Sequence, residues 1–376
     1  MKALIVYAKA GAGHLRAAEA VFGALKRKGK EKDVTIIDCL DYTTPFFKAY
    51  YPQIYLLMVR FAPWLWAFLY FVLDNRLVYF FTRPIRRRNN NLASQRFVQF
   101  LKKENPPVIV STQFFASEVA GALKVRGQIS SQIISVVTDF GAHTFWEAEG
   151  IDIFTVGSED TKKDLLGRGI PEEKIKVLGI PIDPITVKGT KQEVRKELGL
   201  RADAFVVLIV GGGFGVGPIH KLVTSLNRLD PATRAKVQVL VVCSRNEKLH
   251  QKMSAIAPQL KIEAKMYGFV ADLYQMMVAS DIIVSKSGGL TTSESLACGL
   301  PMIIISPIPG QETKNCAHLV KHGAALRIDR PGEVKAVIKQ LVENPQTIER
   351  MRQQTRVLAR PRSADDITAL AEQYMN

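Results

Sequence analysis

The sequence predicts an α/β protein built from two similar halves, and three observations carry this prediction. Short apolar runs, suited to buried strands, alternate with segments of helical periodicity along most of the chain. Several of these runs lead directly into glycine-bearing loops, as in doubly wound sheets that bind ligands at the carboxyl ends of parallel strands. The 376 residues, 47% hydrophobic and 23% charged, are enough for two domains of ordinary size. We therefore expect two doubly wound domains with a ligand cleft between their sheets.

The first half begins with an apolar strand at residues 3–7 and a glycine-bearing loop at 8–14. A helix follows, because Ala17, Ala18, Val21 and Leu25 recur at helical spacing. The later strands of this half are predicted at residues 34–39, 108–111, 133–137, 153–156 and 176–178. Together these elements predict a first domain over residues 1–184.

A polar stretch at residues 184–193 is the predicted linker, and a second domain is expected over residues 193–357. Its strands are predicted at residues 204–210, 237–242, 262–267, 282–284 and 301–305. One of its helices is predicted from about residue 290 to 298. The stretch 345–376 is also expected to be helical, with a basic face of five arginines.

Basic and aromatic residues are concentrated between residues 44 and 103, the basic aromatic segment. The chain carries 51 Lys and Arg against 35 Asp and Glu, a formal net charge of +16. The segment holds ten of those basic residues, a single acid (Asp74) and 16 of the 31 aromatic residues. Such a mixture suits the headgroup layer of an anionic membrane, where Trp and Tyr rings are half solvated and Arg meets phosphates. We therefore predict that the segment binds anionic lipid.

Two other interpretations of the basic aromatic segment stay open. Any single ring fits equally well in the core of helices packed on a sheet. The three arginines at 86–88, followed by three asparagines, also suit a nucleic-acid backbone, but no RNA-binding signature accompanies them and we expect no nucleic-acid partner. The longest uncharged run, residues 61–73, contains Pro63 and is shorter than the ~20 residues that span a bilayer. An interfacial, peripheral attachment is the resulting prediction.

Cysteine usage and the N-terminal sequence indicate a reducing compartment. The four cysteines form no C-x-x-C pair, so neither a disulfide framework nor a zinc site is expected. Lys2 is followed only by a short apolar run that ends in glycine, which predicts no signal peptide. We expect a cytoplasmic location.

Two glycine-bearing loops predict an anion site in the second half. Five glycines between residues 211 and 217 would let backbone amides approach a phosphate. The loop at 287–292 opens a helix whose free N–H groups and positive dipole end would face a pyrophosphate. Glu294, expected in the first turn of that helix, is either a favourable charge near its N-terminus or a carboxylate that binds both hydroxyls of a ribose.

Five motifs, in one order along most of the chain, resemble the diacylglycerol glycosyltransferases. This family comprises the plant-type monogalactosyldiacylglycerol synthases and the bacterial processive glucosyltransferases, with the lipid II N-acetylglucosaminyltransferase as a more distant match. The motifs are Gly-Ala-Gly-His at 11–14, Gly-Gly-Gly-Phe-Gly-Val-Gly-Pro-Ile at 211–219, Tyr-Gly-Phe-Val at 267–270, Ser-Lys-Ser-Gly-Gly-Leu-Thr-Thr-Ser-Glu at 285–294, and Pro-Gly-Gln-Glu at 309–312 with Asn315. The family usually has three glycines before its first histidine, whereas Ala12 is the second residue here, which puts the fine geometry of that loop in doubt.

The resemblance implies a GT-B glycosyltransferase, with two Rossmann-like domains facing across a cleft. It further implies a nucleotide-sugar donor held mainly by the C-terminal domain, a lipid acceptor held by the N-terminal domain, and a last helix, about 358–376, that packs back on the N-terminal domain. By position, Phe269 would face uracil, Glu294 the ribose, Gly288 to Thr292 the pyrophosphate, and Gln311 and Glu312 the donor sugar. The remaining donor-site residues implied by the motifs are Gly13, Gly212, Gly213, Ser287, Gly289 and Thr291.

Inverting transfer needs a base that takes the acceptor proton while a diphosphate leaves. His14 suits this role, because imidazole acts as a base near neutral pH. Asp139, at the end of the strand at 133–137, is either the base itself or the residue that orients His14. His143 either shapes the acceptor site or is structural. No Asp-x-Asp sequence occurs, and helix dipole and amides can neutralise the diphosphate, so we predict transfer without a metal and with no cofactor beyond the donor.

The resemblance, together with these residues, implies inverting transfer of a hexose from UDP-glucose or UDP-galactose to diacylglycerol, giving β-glycosyldiacylglycerol. The expected setting is the cytoplasmic face of the cell membrane, with anionic lipids and diacylglycerol as partners. The alternative is an N-acetylglucosaminyltransferase that acts on a polyprenyl-pyrophosphate-linked glycan lipid. Gln311 and Glu312 suit glucose and galactose equally, so the donor stays open, as does the number of sugars added.

Overall fold

A computed structural model describes residues 1–9, 11–212 and 217–375, and the chain divides into two compact units. The first unit comprises Met1–Pro184, Ile308–Lys314 and Arg360–Asn376. The second comprises Ile185–Pro307 and Asn315–Ala359. The assignment of residues 308–314 to the first unit has no counterpart in the sequence prediction.

The first unit is built on a six-stranded sheet in which every strand pair is parallel. Its strands are β1 (Ala3–Tyr7), β2 (Val34–Asp38), β3 (Val108–Ser111), β4 (Gln132–Val136), β5 (Ile153–Val156) and β6 (Ile175–Val177), in the spatial order β2-β1-β3-β4-β5-β6. All six predicted strands are present, and their ends differ from the prediction by at most one residue. Because alternate residues of a strand face opposite sides, Leu4 and Val6 join one hydrophobic core while Ala3 and Ile5 join another.

Seven helices accompany these strands along the chain. They are α1 (Ala12–Arg27), α2 (Pro45–Phe61), α3 (Pro63–Leu73), α4 (Arg76–Ala93), α5 (Gln95–Glu104), α6 (Phe114–Val125) and α7 (Glu159–Gly167). The basic aromatic segment therefore folds into four consecutive helices, α2 to α5. Among the described residues no single helix meets the length and hydropathy required to cross a bilayer, whereas Pro45–Val59 and Pro63–Leu73, bent by 112°, meet them as a pair.

The second unit repeats the parallel architecture. Its strands are β7 (Phe205–Val210), β8 (Val237–Val242), β9 (Glu263–Tyr267), β10 (Ile282–Ser285), β11 (Met302–Ile305) and β12 (Ala325–Ile328), in the spatial order β12-β11-β10-β7-β8-β9. Its helices are α8 (Lys191–Glu197), α9 (Ile219–Leu226), α10 (Pro231–Lys236), α11 (Glu247–Ile256), α12 (Leu273–Ala279), α13 (Gly289–Ala297), α14 (Gln311–Lys321, whose first four residues cluster with the first unit), α15 (Val334–Glu343) and α16 (Pro345–Leu358). The edge strand β12 was not predicted.

The linker is shorter than the predicted stretch at 184–193. Thr190 and Glu193 form a reciprocal capping box, in which each side chain accepts a hydrogen bond from the other residue's backbone N–H. This arrangement starts α8 at Lys191. The polar residues at the end of the stretch are thus a helix start, because Thr followed three positions later by Glu satisfies two backbone N–H groups of the first turn.

A buried charge cluster joins three elements of the second unit. Asp281, directly before β10, accepts hydrogen bonds at 2.7 Å each from Lys191 of α8, Arg195 of α8 and Arg352 of α16. Burial alone would raise the pKa of Asp281, but Lys191, the hydrogen bond from the Val206 backbone N–H and Arg195 hold it below its ordinary value. Arg352, which the sequence assigns to a basic helical face, therefore has a structural partner.

The C-terminal stretch forms two helices, because the chain leaves helical geometry between α16 and α17 (Ser363–Glu372). Ile367, Ala371 and Met375 are buried in the same core as Val21 and Leu25 of α1. Arg27 and Lys28 form ion pairs with Asp365 and Glu372 at 2.9 and 2.6 Å. The last helix thus covers one face of the first unit's sheet.

The packing of α17 predicts a large loss of stability when its core contact is truncated. Ile367→Ala should cost about 2–5 kcal/mol, because the side chain is fully buried and leaves a cavity. Val125→Ala, at an exposed position of α6, should change stability by no more than about 0.5 kcal/mol. Calorimetric unfolding of both variants measures the difference, and equal small effects would contradict the role given to α17.

Candidate functional site

His14 lies where three adjacent strands of the first unit end. It is the third residue of α1, which follows β1, whereas Thr112 follows β3 and Thr138 comes shortly after β4. The His14 Nδ1 atom is 2.7 Å from the Thr112 carbonyl oxygen and 3.2 Å from the Thr138 hydroxyl. The order β1-β3-β4 in the sheet brings these residues together, although they are up to 124 positions apart in sequence.

This geometry selects one tautomer of the His14 ring. A backbone carbonyl only accepts hydrogen bonds, so Nδ1 must carry the proton that it donates to Thr112. The other nitrogen, Nε2, then holds a lone pair. Burial lowers the pKa of His14, and the hydrogen bond to the Thr112 carbonyl offsets only part of this effect. His14 is therefore neutral at pH 7 and carries a basic nitrogen.

Asp139 is half-buried and directly follows Thr138. Within the described residues, the hydrogen-bond partners of the His14 ring are Thr112 and Thr138, and Asp139 is not one of them. The ring is oriented by a backbone carbonyl and a hydroxyl, neither of which the sequence analysis identified. Gly13 lies beside His14 in the first turn of α1, so this part of the predicted loop is helical.

His143 is a structural residue of the first unit. Its Nε2 atom donates to the Tyr70 carbonyl at 2.9 Å, and its Nδ1 atom accepts from the Phe145 backbone N–H at 3.1 Å. Both nitrogens are thus occupied. Burial lowers the pKa of His143 to about 4, which keeps the ring neutral. Of the two roles considered for His143, these contacts support the structural one.

In the second unit the start of α13 offers unpaired backbone donors. Gly288 caps this helix without a side-chain hydrogen bond, and the first backbone bond of the helix is from the Thr292 N–H to the Gly288 carbonyl. The N–H groups of Gly289, Leu290 and Thr291 have no acceptor in the described part of the chain. Three free donors and the positive end of the helix dipole make this a candidate anion site.

The residues around this helix start are held by buried polar contacts. Asn315 is fully buried and donates to the Ser287 carbonyl at 2.8 Å, which fixes the loop before the helix. The Thr292 hydroxyl is buried and has no hydrogen-bond partner among the described residues. Glu294 is the sixth residue of α13 and lies in its second turn, so the expectation of a first-turn position was wrong by two residues.

A second group of loops meets at the carboxyl ends of β7, β8 and β9. Gly212 adopts a φ of +65°, which favours glycine, and its carbonyl accepts from the Ser244 hydroxyl at 2.7 Å. Beyond β9, the Phe269 ring is 61% exposed, and the Arg245 guanidinium lies 5.1 Å from its centre. Sequence reasoning missed Ser244 and Arg245, because no motif marks them. Gly213 lies outside the described residues.

Gln311 and Glu312 begin α14, after a tight loop from Ile308. The Glu312 side chain is buried, and its Oε2 atom accepts from the Ile308 backbone N–H at 2.7 Å. Gly310 has a φ of +97°, and a Cβ atom there would lie 2.7 Å from the Tyr70 ring. Glycine is therefore required where the chain passes over this ring.

Helices α2, α3 and α4 each present one apolar face to solvent. The segment contains thirteen of the nineteen large hydrophobic residues that are exposed among the side chains described. These thirteen are Phe46, Tyr50, Ile54, Leu57 and Phe61 on α2, Trp64, Phe68 and Phe71 on α3, and Leu77, Phe80, Phe81, Ile85 and Leu92 on α4. We call this set the apolar surface. Because large exposed apolar patches commonly mark interaction sites, this set is a candidate interaction surface.

Not every predicted residue of the segment belongs to this surface. Tyr70 and Tyr79 are buried. Arg83 pairs with Glu149 at 2.6 Å, and Arg86 pairs with the buried Glu118 at 3.0 Å. These two arginines hold α4 against the unit instead of facing a lipid, whereas Arg88, Arg96, Lys102 and Lys103 are exposed. The core interpretation is confirmed for the buried residues of the segment, and the interfacial interpretation stays a prediction for the exposed ones.

Comparison with protein families assigns a different model to each half of the chain. The family model described as monogalactosyldiacylglycerol (MGDG) synthase matches residues 14–182. The glycosyltransferase family 28 C-terminal domain matches residues 206–367. Two relatives are named processive diacylglycerol beta-glucosyltransferase, and each is 28% identical to this chain. The alignment with the protein from Bacillus cereus strain AH187 covers 100% of this chain and 94% of that protein. The alignment with the protein from Bacillus mycoides strain KBAB4 covers 99% of this chain and 94% of that protein.

Solved structures share the fold of the whole chain. Acinetobacter baumannii MurG aligns with a TM-score of 0.64 at 16% identity, over 99% of this chain and 100% of that one. Anabaena Alr3699/HepE in complex with UDP-glucose aligns with a TM-score of 0.56 at 16% identity, over 99% of each chain. At these identities the likeness concerns the fold alone.

The contacts of His143 predict acid sensitivity. Its pKa is about 4 in the folded protein and ordinarily about 6.5, so protonation favours the unfolded chain. The contribution of the neutral ring to the free energy of unfolding is complete above pH 6.5 and is lost as the pH falls toward 4. About 2 kcal/mol of this free energy is lost between pH 7 and pH 5. Denaturant unfolding at both pH values should show a smaller pH-dependent loss for His143→Gln than for the wild type. An equal loss would contradict the assignment.

Proposed function

We propose that the chain transfers a hexose from UDP-glucose or UDP-galactose to the hydroxyl of diacylglycerol, as its match to the MGDG synthase family model and the names of its relatives suggest. The observation that carries the proposal is the neutral His14 ring with a basic Nε2, in a chain whose second unit offers the anion site at the start of α13. Base and anion site are the two elements that glycosyl transfer from a nucleotide sugar needs.

The donor nucleotide is proposed to bind the second unit. The free N–H groups of Gly289 to Thr291 would bind the pyrophosphate, Glu294 the ribose and Phe269 the uracil, with Arg245 supporting the ring from its other side. The names of the relatives and the UDP-glucose bound to HepE support a UDP-hexose as donor. Backbone amides and the helix dipole stabilise the leaving UDP, so the proposed transfer needs no metal.

His14 is the proposed base. Its Nε2 atom takes the proton of the diacylglycerol hydroxyl as the hydroxyl oxygen bonds to the anomeric carbon. The bond from that carbon to the diphosphate breaks, and UDP leaves with the electron pair. Attack opposite the leaving group converts an α-linked donor to a β-linked product. The proton on Nδ1 stays there and remains hydrogen-bonded to the Thr112 carbonyl oxygen, which stabilises the imidazolium as it forms.

Membrane binding through the apolar surface is the third part of the proposal. Diacylglycerol stays in the bilayer, so the acceptor is reached only by an enzyme at the interface. Phe80 and Phe81 are about 70% exposed and would enter the acyl boundary, while exposed basic residues such as Arg88 and Arg96 would meet anionic headgroups. A peripheral position on the cytoplasmic face, with anionic lipid as partner, is the setting that we propose.

The alternative acceptor, a polyprenyl-pyrophosphate-linked glycan lipid, is supported only by the fold likeness to MurG. One assay separates the two. Purified protein is incubated with diacylglycerol vesicles and UDP-glucose, UDP-galactose or UDP-N-acetylglucosamine, with and without EDTA, and lipids are analysed by mass spectrometry. Hexosyl-diacylglycerol formed equally with EDTA supports the proposal. N-acetylhexosaminyl transfer, made only when a pyrophosphate-linked acceptor is supplied, would support the alternative.

Replacing His14 tests the base. His14→Gln keeps a donor to the Thr112 carbonyl but removes the basic nitrogen, so kcat should fall by about 10²–10⁴-fold while UDP affinity is unchanged. Because the pKa of His14 is lowered, the acidic limb of wild-type kcat/KM should lie below pH 6.5. Steady-state kinetics of His14→Gln and Asp139→Asn compare the two candidates. A larger loss in Asp139→Asn, with most activity retained in His14→Gln, would assign the base to Asp139.

Replacing exposed rings tests membrane binding. The double variant Phe80→Ser/Phe81→Ser should bind phosphatidylglycerol vesicles at least about tenfold more weakly, since two large apolar side chains no longer enter the bilayer. Val125→Ser, an exposed apolar position of α6, is the matched control and should bind normally. Vesicle sedimentation measures the binding of each variant, and comparing low with high salt measures the electrostatic part of the binding. Binding that is insensitive to salt and to both rings would contradict the proposed surface.

A further inference from the structure

Helix α3 has two faces with different partners. Trp64, Phe68 and Phe71, at spacings of four and three residues, are exposed and belong to the apolar surface. Trp66, Tyr70 and, just beyond the end of the helix, Asp74, at spacings of four residues, lie on another side. Residues spaced by three and four share one face of a helix, so a single short helix carries a lipid-facing side and a second side directed into the first unit.

The second side of α3 holds the chain just before and after Gln311 and Glu312. The Trp66 indole N–H donates to the Pro309 carbonyl at 2.9 Å. The Tyr70 ring lies against Gly310, where any larger residue would collide with it. The contacts thus precede Gln311 by one and two residues, although α3 is more than 230 positions away in sequence.

Lys314, which follows Gln311 and Glu312, also contacts other residues of the first unit. Its Nζ atom donates to Asp74 at 2.8 Å and to the Ala142 carbonyl at 2.6 Å, and lies 5.8 Å from the Tyr70 ring centre. Asp74 also accepts from Arg168 at 2.8 Å and from the Thr144 N–H at 2.9 Å. Burial alone would raise the pKa of Asp74, but the hydrogen bond from Lys314 and the neighbouring charges hold it below its ordinary value.

Segment 309–314 is therefore held in place at both ends, by α3 at its start and by Asp74, which follows α3, at its end. At the start of the segment, Trp66 and Tyr70 fix the backbone of Pro309 and Gly310. At its end, Asp74 fixes the Lys314 side chain. Gln311 and Glu312 lie between these points, and Glu312 is further held by its hydrogen bond from Ile308. An error of about 1 Å in the placement of such residues is enough to lose a polar contact with a ligand.

We propose that Trp66, Tyr70, Asp74 and Lys314 are positioning residues that set the geometry of Gln311 and Glu312 toward the donor sugar. This inference rests on the proposed function for the role of Gln311 and Glu312. The helix that presents Trp64, Phe68 and Phe71 to lipid then also positions the two residues that bind the donor hexose. Donor-sugar recognition thereby depends on residues of the membrane-binding segment that touch neither the donor nor the bilayer.

The test separates contacts with the sugar from contacts with the nucleotide. Calorimetric affinities are measured for UDP and for the UDP-hexose that the wild type uses, and their ratio reports the sugar contacts. Trp66→Phe keeps an aromatic ring but loses the N–H group that donates to the Pro309 carbonyl. It should weaken the binding of the UDP-hexose by about three- to tenfold and leave the binding of UDP unchanged. Lys314→Met should have a larger effect in the same direction, and Lys314→Arg should restore part of it.

Lys124→Met is the matched control. Lys124 forms an ion pair with Asp152 at 2.5 Å, and its side chain is as exposed as that of Lys314, so its loss should leave the ratio unchanged. An unchanged ratio in both Trp66→Phe and Lys314→Met, or an equal loss of UDP and UDP-hexose, would overturn the inference. The wild type alone tests the proposed function: failure to bind UDP, or equal affinity for UDP and every UDP-hexose, would refute the donor site itself.

Discussion

The parallel pairing of every strand in both sheets is the constraint on which the rest of the structure depends. Parallel strands end at the same edge, so residues that follow β1, β3 and β4 converge although up to 124 positions separate them. His14 meets Thr112 and Thr138 for this reason. The same constraint in the second unit brings Gly212, Ser244 and the loop before α13 to the ends of their strands. Buried polar contacts then fix each loop, as Asn315 does for Ser287.

Much of the fold and part of the site were predictable from the sequence. Apolar runs predicted eleven of the twelve strands, because buried parallel strands are largely continuous in apolar residues; β12, four residues that include the charged Arg327, was not predicted. His14 and the start of α13 were predictable because a motif marks them. Thr112 and Arg245 were not, since their roles arise only from contacts across the sheet or between loops. The start of α13 was predicted within one residue, but Glu294 lies one turn further along the helix than expected.

The basic aromatic segment shows why composition alone leaves such residues ambiguous. Arg83 and Arg86 look like lipid ligands in the sequence, yet they pair with Glu149 and Glu118. Trp64 and Trp66 are two positions apart, and one is exposed while the other holds a backbone carbonyl of the loop at 309–312. Helical geometry, rather than residue type, decides which partner each receives. The helix that carries exposed rings thus also supports the loop at 309–312.

The anomeric configuration of the lipid product tests the central claim most directly. A neutral His14 that takes the acceptor proton, with the diphosphate leaving from the opposite side, requires direct displacement and a single inversion. The anomeric proton of hexosyl-diacylglycerol made from an α-linked UDP-hexose is therefore measured by NMR. A large coupling to the neighbouring ring proton, diagnostic of a β-linked sugar, is the predicted result. An α-linked product would contradict the account, because retention demands chemistry that a single base does not supply.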